Sequence, residues 1–574
     1  MQKIYLIFSG EGFFHAANRW GRMVDERLHE FTGRAGRFPE KTPVQTLVQG
    51  QGFEMKNSSI GMFLLVCVSI ASASGKMVCI PSSIAGLNLN SASSRYCYAR
   101  SRESDNVAVF WEDGFGSDPS TASGDLRVNM TKLLGDAEKA YSMYLDTMKF
   151  AVKGSSVTDT CKLVIFLLDT SAWTANGAGE DDRIGCLWVN YAAAKIESVV
   201  AHEIGHCFQY ITGCDTDGGY RYGFGKDGAG GNGFWEQCAQ WQAYNVYPEE
   251  MFTVSNFDEY IKCNHLHILH ETPRYANYFL PEYWTFKHDI AFIGKLWRES
   301  RYPEDPVETY KRLNSLSQEQ FNDEMLEHAA RLTTWDIPAI EQYGEEYINS
   351  RAQVKMDLTS DKYWLVDSSV CIENYGYNSI KLNPPESSRN ITVHFRGKAG
   401  GDGYRSVSTE KGGWRFGFVA LLDNGTRVYS ETGSAAMNGS ENPEETLTFL
   451  CPDNCDKLWM VVSGAPQEHW RHEWDDAAYN DEQWPYEVAF VNTNLLGEVT
   501  GAGVARVKRT FDTFSLVCRS GCVVLPRQVN WKITTLTGRQ VRFGYGNRID
   551  ACAYASGGYV VEYNGKSGKI LKMP

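Results

Sequence analysis

The chain has 574 residues, more than one hydrophobic core usually organises, so we expect about two to four domains. Its net charge of −14 argues against a nucleic-acid-binding protein, because phosphate backbones attract basic surfaces. The composition is that of a folded globular chain, and no basic amphipathic helix indicates binding to a membrane surface.

An export signal is predicted inside the chain. Residues 55–73 open with a Met and a Lys, continue with an apolar run and end in the small-x-small pattern of a cleavage site. We expect this segment to be a signal peptide and the mature protein to lack a transmembrane segment. Residues 1–54 are then an untranslated or disordered extension from a start assigned too early; a genuine N-terminal extension is the alternative. Residues 80–105 are a candidate propeptide.

The cysteines are consistent with export. Of 15 cysteines one lies in the predicted signal, and the remaining 14 are an even number, which predicts some disulfides. Structural zinc is the competing reading of the close pairs, and the sequence does not determine the connectivity. The close pairs are Cys207/Cys214, Cys451/Cys455 and Cys518/Cys522.

Strands and helices alternate in the first part of the chain. Val107–Trp111 and Leu163–Leu168 are predicted to be strands, with a helix over Gly135–Phe150 between them. Gly185–Asn190 is predicted to be a short strand just before the next helix. This pattern predicts an α+β arrangement.

Residues 202–206 read H-E-x-x-H, the spacing of zinc hydrolases. On a helix, residues four apart share one face, so His202 and His206 can bind one zinc ion. Glu203 can then reach a water on that ion and serve as the general base. The alternative is an accidental match. The helix itself is predicted by an apolar stripe on the opposite side, formed by Val200, Ile204 and Phe208.

A catalytic zinc ion takes three protein ligands and keeps one position open. One arrangement places a third His six residues after the second, but that place holds Thr212, and Gln209 stands where its glycine would be. Glu236 lies instead in a helical, largely apolar segment, residues 234–243. A carboxylate among such neighbours needs a partner, and zinc would be that partner. The alternative is that Glu236 pairs with a buried Arg or caps its helix.

Residues 213–233 between these two helices contain nine glycines, and we expect a flexible connection. A calcium site at Asp215, Asp217 and Asp227 is the alternative. Further along, one polar side chain is expected to stabilise the oxyanion of the reaction. The candidates are His265, His267, His270, Arg274 and Tyr275. The alternation of His with apolar residues over 265–270 also resembles a second metal cluster, or one face of an ordinary strand or helix.

The sequence pattern changes in the second half of the chain. Residues 283–347 have a helical pattern, with amphipathic segments at 308–316 and 318–332. Residues 358–497 contain short alternating runs separated by turn residues, with a hairpin signal at 423–425, and predict a β-sandwich. Its aromatic residues could contact a glycan, although most such residues belong to a core.

These pieces resemble a gluzincin-like family of zinc metalloproteases, bacterial surface or secreted proteins that are largely uncharacterised. The resemblance rests on residues 200–206, 234–242, 274–275, 278–299 and 458–464. It implies a zincin-like domain over residues 80–357, in which the strand before the metal helix is the edge strand and can pair with an extended peptide.

The resemblance implies a zinc-dependent endopeptidase that acts on protein or glycoprotein substrates, with His202, His206 and Glu236 as ligands and Glu203 as base. The alternative is an inactive zincin scaffold that serves as an adhesin or a glycan-binding surface protein. The intact Glu203 favours the enzyme, because an inactive site has no evident need for it.

Residues 505–574 are predicted to be a separate β-domain, with strands at 531–541, 555–563 and 568–572. They resemble the C-terminal sorting domain of the Bacteroidetes type IX secretion route. That resemblance implies a secreted or bacterial cell-surface protein. A small β-domain without a sorting role is the alternative.

Overall fold

The computed structural model describes residues 75–220, 225–439, 442–498, 522–535, 540–550, 557–563 and 566–572. The predicted signal peptide and the extension before it lie outside these residues. The described part is α+β, as predicted, with one mixed sheet and three antiparallel sheets. Within these ranges, no helix combines the length and apolar character needed to cross a bilayer.

The first sheet has the strand order β1-β2-β3-β5-β4, with β2, β3 and β5 parallel and the outer strands antiparallel. Its strands are β1 (Ser101–Glu103), β2 (Val107–Trp111), β3 (Leu163–Leu168), β4 (Ala175–Glu180) and β5 (Ile184–Asn190). The three predicted strands are confirmed, since their apolar side chains are buried on both faces. The prediction that residues 185–190 form the edge strand is wrong. The edge is β4, whose small and polar residues lack the apolar alternation that marks a strand.

Helices cover one face of this sheet and carry the predicted site. They are α2 (Met130–Ser142), α3 (Glu197–Asp215) and α4 (Gly225–Val246), whereas the short helix α1 (Ser82–Ala85) lies on the opposite face. Helix α2 begins earlier than predicted because the Asn129 side chain caps it by accepting from the Lys132 N–H. The expected flexible connection is wrong for residues 225–233, which are helical. A glycine is needed at position 233, where a Cβ would lie 2.7 Å from the Leu269 carbonyl oxygen.

Six further helices follow: α5 (Ser255–Cys263), α6 (Phe279–Lys287), α7 (Phe292–Glu299), α8 (Pro306–Asn314), α9 (Gln318–Thr334) and α10 (Glu341–Gly344). The predicted segments at 308–316 and 318–332 are confirmed as α8 and α9. Both begin with a capping box. In each box, the side chain of the N-cap residue accepts from the backbone N–H three residues later, and that residue's side chain accepts from the backbone N–H of the N-cap residue. The pairs are Asp305/Glu308 and Ser317/Gln320.

Two antiparallel sheets then face each other, as a β-sandwich requires. One has the order β11-β10-β14-β8, with β12 also on β10, and the other has the order β13-β9-β15-β7-β6. The predicted hairpin at 423–425 joins β10 to β11, with Gly425 at a φ of +85°. Aromatic rings such as Phe395, Phe416 and Trp414 fill the space between the sheets. The strands are β6 (Met356–Leu358), β7 (Trp364–Val366), β8 (Tyr377–Leu382), β9 (Arg389–Gly397), β10 (Gly413–Leu422), β11 (Arg427–Tyr429), β12 (Gly433–Ala436), β13 (Glu444–Cys451), β14 (Cys455–Gly464) and β15 (Tyr486–Val491).

The described C-terminal residues form a four-stranded antiparallel sheet in the order β17-β16-β18-β19. Its strands are β16 (Cys522–Thr535), β17 (Gln540–Asp550), β18 (Gly557–Tyr563) and β19 (Lys566–Lys572). The strand predicted at 531–541 therefore corresponds to the end of β16 and the start of β17. These two strands pair with each other, with residue 532 opposite residue 543.

A disulfide joins Cys79 to Cys161, although no close pair predicted from the sequence included either residue. Cys207, Cys214, Cys451 and Cys455 are free thiols, and Cys518 lies outside the described residues. Cys207 and Cys214 both lie in α3, where seven residues span about 10 Å, beyond the reach of a disulfide.

The segment predicted as a candidate propeptide packs on the face of the first sheet opposite to α3. Ile84 and Tyr96 contribute to a small core with Phe110 and Phe166, and the disulfide fixes the segment there. Side chains of adjacent strand residues point to opposite faces, so this core is separate from the one beneath α3.

Candidate metal centre

Helix α3 presents two imidazoles side by side, as the four-residue spacing predicts. The Nε2 atoms of His202 and His206 lie 3.0 Å apart. The predicted stripe Val200, Ile204 and Phe208 is fully buried on the other side of the helix. Burial of that stripe against the first sheet fixes the direction in which the histidines point.

Helix α4 brings the predicted third ligand to the same place. The Glu236 Oε2 lies 3.1 Å from the His206 Nε2 and 3.2 Å from the His202 Nε2. With bonds of 2.0–2.2 Å, two ligand atoms on a tetrahedral zinc ion lie about 3.4 Å apart, so this triangle fits one ion after a small expansion. The two helices come this close because residue 205 is glycine, where a Cβ would lie 3.2 Å from the Ala239 Cα.

Glu203 lies beside this triangle rather than in it. One of its carboxylate oxygens is within 4.8 Å of a ring nitrogen of each histidine. The Gly177 N–H of the edge strand β4 acts to lower the pKa of this carboxylate. A Cβ at position 177 would lie 2.0 Å from the Glu203 carbonyl oxygen, so only glycine lets β4 run this close to α3.

The electrostatics of the triangle favour a bound cation. Burial acts to raise the pKa of Glu236, but the two imidazoles hold it well below its usual range. Burial lowers the pKa of His206, while the Glu236 carboxylate raises it, with a net value of about 9. Burial also raises the pKa of Glu203 against the effect of both imidazoles. The Glu236 carboxylate thus stabilises a positive charge at the imidazole nitrogens. A proton and a metal ion compete for these nitrogens.

A family model described as "Family of unknown function (DUF6055)" matches residues 70–497. The chain belongs to the DUF6055 family. No curated protein matches this DUF6055 member.

Two solved structures show weak likenesses. The C-terminal CBM6 of LamC, a laminarinase from Zobellia galactanivorans, matches with 13% identity and a TM-score of 0.14, over 24% of this chain and 90% of that chain. The lipase BlEst2 of Bacillus licheniformis in its propeptide form matches with 10% identity and a TM-score of 0.12, over 41% and 46%. Neither likeness informs the function.

Two residues around the histidines of this DUF6055 member were missed from the sequence. The Nδ1–H of His206 donates to the Gln209 Oε1 at 2.8 Å, and the Gln209 Nε2 donates to the Trp235 carbonyl at 3.0 Å. Gln209 therefore fixes the ring so that Nε2 faces Glu236. The Trp235 ring also stacks on the His206 ring, with centroids 6.0 Å apart. The sequence contains a signal for Gln209, which lies one turn after His206 on the same face.

The five residues named as candidates to stabilise the oxyanion lie in two separate regions. Tyr275 is half-exposed, and its ring centroid is 6.0 Å from that of His202. Arg274 stacks on Tyr275, with its guanidinium carbon 5.2 Å from the ring centre. His267 and His270 instead enter a second buried cluster, and the carbonyl of His265 accepts from the Glu373 N–H. Tyr275 is the candidate nearest to the triangle by these contacts.

Proposed function

We propose that the chain is an exported, zinc-dependent endopeptidase of the gluzincin type that hydrolyses protein or glycoprotein substrates. The observation that supports it is the triangle of His202, His206 and Glu236, with edges of 3.0–3.2 Å beside an intact Glu203. Two neutral imidazoles and one carboxylate are a donor set that zinc hydrolases use. When bound, zinc would polarise the scissile carbonyl and acidify the attacking water.

Glu203 supplies the proton transfers in this proposal. It takes a proton from the attacking water and returns it to the leaving amine, which requires a carboxylate close to the metal but outside its ligand set. The Gly177 N–H, which acts to lower the pKa of Glu203, favours the ionised carboxylate that this role requires. Tyr275 is our candidate to donate a hydrogen bond to the oxyanion.

The edge strand β4 supplies a binding surface for the substrate. Among the described residues it pairs only with β5, so its other side carries backbone groups to which an extended peptide can add as a further strand. Such pairing would place the scissile bond beside α3, because the Gly177 backbone already contacts Glu203. Glycan contact through the β-sandwich stays a prediction.

Export is part of the proposal and is supported by the disulfide between Cys79 and Cys161. Disulfides form and persist in oxidising compartments and are rare in reducing ones. The predicted signal peptide at 55–73 and the sorting-type C-terminal domain point the same way.

The decisive experiment is digestion of casein and of a broad peptide library by the zinc-loaded chain and its E203Q variant. We expect E203Q to keep its zinc and lose roughly 10²- to 10⁴-fold in kcat, because only the proton transfer is removed. E236Q should lose zinc affinity and activity together, and a chelator should abolish wild-type hydrolysis. The exposed Glu249 gives the matched control, since E249Q should be fully active.

Zinc bound at the triangle without hydrolysis of any library member would contradict the endopeptidase. That result would favour the alternative, an inactive zincin scaffold that serves as an adhesin or a glycan-binding surface protein. Hydrolysis that survives E203Q would contradict the assigned base.

A further inference from the structure

A second cluster of metal-ligating side chains is buried away from α3 and α4. His270 lies in the connection between α5 and α6, while His472 and Asp481 lie in the long connection between β14 and β15. One ligand atom from each of the three lies within 4.8 Å of the others. All three residues are buried, with at most 7% of their surface exposed.

The contacts inside this cluster are too long for hydrogen bonds. The His270 Nε2 is 3.6 Å from the Asp481 Oδ2, and the His472 Nδ1 is 3.7 Å from the Asp481 Oδ1. The Asp481 Oδ2 has no hydrogen-bond partner among the described residues, although it is buried. Leaving a buried carboxylate oxygen unpaired is costly. Ligand atoms around a tetrahedral zinc ion lie about 3.4 Å apart, so the two imidazole–carboxylate distances are close to those around a bound cation. The three ligand atoms, which lie within 4.8 Å of one another, would move together on binding.

A neighbouring carboxylate orients one of the two imidazoles. The His472 Nε2 donates to the Glu271 Oε2 at 2.8 Å, which leaves Nδ1 to face Asp481. A carboxylate behind a ligating histidine is a common feature of metal sites. The His270 Nδ1 accepts from the Thr272 N–H at 3.0 Å, so a cation on its Nε2 requires the ring proton to move to Nδ1. The Glu271 Oε2, 3.5 Å from that Nδ1, is the available acceptor.

The charges around the cluster also favour a cation. Glu271, Glu373, Asp481 and Glu482 are all buried, and Glu373 interacts electrostatically with His270, Asp481 and Glu482. The Arg405 guanidinium pairs with Glu373 at 2.6 Å. With Glu271 paired to His472, Asp481 and Glu482 have no cationic partner at hydrogen-bond distance among the described residues, and buried charges are stable only when they are paired or bind metal.

We propose that His270, His472 and Asp481 form a second metal site that takes a divalent transition cation, with zinc the best match. Two imidazoles and one carboxylate are borderline donors that suit zinc better than calcium or magnesium, which prefer all-oxygen sites. This site does not depend on the proposed peptidase activity.

The second site has a structural role, because it joins two distant parts of the chain beside the first. His270 lies five residues before Tyr275, whose ring is near His202. His472 lies two residues before Trp474, and the Arg274 guanidinium stacks between the rings of Tyr275 and Trp474. A cation shared by His270 and His472 therefore holds the β14–β15 connection against the segment that carries Tyr275.

The test is the metal content of the full chain after zinc loading and removal of excess zinc. We expect about two zinc ions per wild-type chain and about one in each of H472A and D481N. H206A should also bind about one, and H206A/H472A none. H469Q is the matched control, because His469 lies on the same connection but bonds to Asp305 and Tyr375, and it should keep both ions.

A second measurement guards against misfolding of the variants. Cobalt added to H206A should produce the visible absorption bands of a four-coordinate nitrogen–oxygen site, and these bands should be absent in H206A/H472A. Equal zinc content in H206A and H206A/H472A, or a folded H472A that keeps as much zinc as wild type, would overturn the second site. Zinc at the second site without peptide hydrolysis would instead count only against the proposed function.

Discussion

At the scale of single residues, the two histidines of the proposed zinc site differ in how they are held. His206 donates to Gln209, whereas the Nδ1 of His202 has no hydrogen-bond partner among the described residues. Gln209 therefore fixes the orientation of the His206 ring, so that Nδ1 donates to Gln209 and Nε2 faces Glu236. Since Gln209 is 1% exposed, water cannot replace it without a change in packing.

This contact makes Q209L an informative variant. Leucine removes the acceptor for the His206 Nδ1–H, so we expect zinc affinity at the first site to fall roughly 10- to 100-fold. Competition with a chromophoric chelator measures that affinity. Q240L is the control, because Gln240 donates to Tyr244 instead of to a histidine. Equal affinities for Q209L and wild type would show that packing alone orients the ring.

The sequence predicted some residues of the two proposed metal sites and not others. His202, Glu203 and His206 followed from helical spacing, and Glu236 from its isolation among apolar neighbours. His472 and Asp481 did not, because they lie about 200 residues from His270 in sequence and irregular connections carry no periodicity. Spatial closeness of that kind depends on how the β-sandwich packs on the helices.

At the scale of elements, the first sheet shows where pattern reading succeeds and fails. Strands β2, β3 and β5 are buried on both faces, and their continuous apolar runs predict them. Strand β4 has the sequence ANGAGE, which reads as a turn. Its glycines are explained by close packing, since a Cβ at Gly177 or Gly179 would lie 2.0 Å from an atom of α3.

In strand β4 we therefore expect substitution of a packed glycine to destabilise the fold more than substitution of an exposed neighbour. In G177V the added side chain would strike the Glu203 carbonyl oxygen and push β4 away from α3. We expect a loss of stability of about 1–3 kcal/mol. Urea unfolding followed by fluorescence measures the stability. The exposed neighbour gives the control N176A, and G177V as stable as N176A would contradict this packing.

At the scale of the whole molecule, the β-sandwich and the helices share one core. Helix α9 packs on the outer face of the sheet that contains β10 and β14, through Val419 and Trp459 among others. An ion pair between Arg415 and Asp323, 2.7 Å long, links the same two elements. The sandwich therefore supports the helices that precede it, which no periodicity within either half could predict.

The disulfide fixes the opposite side of the molecule. Cys79 and Cys161 are 82 residues apart, and closing a loop of that length stabilises the folded chain by about 4.5 kcal/mol in the chain-entropy account. C79S/C161S should therefore unfold at a lower urea concentration, and residues 75–100 should become sensitive to protease. C214S, which removes a free thiol, is the control.

Because this segment lies on the sheet face away from α3, the variant should still bind zinc at the first site. Reductant should shift wild type to the behaviour of C79S/C161S and leave that variant unchanged, since the same covalent link is removed in both cases. If reductant destabilised both proteins equally, a disulfide other than Cys79–Cys161 would be responsible.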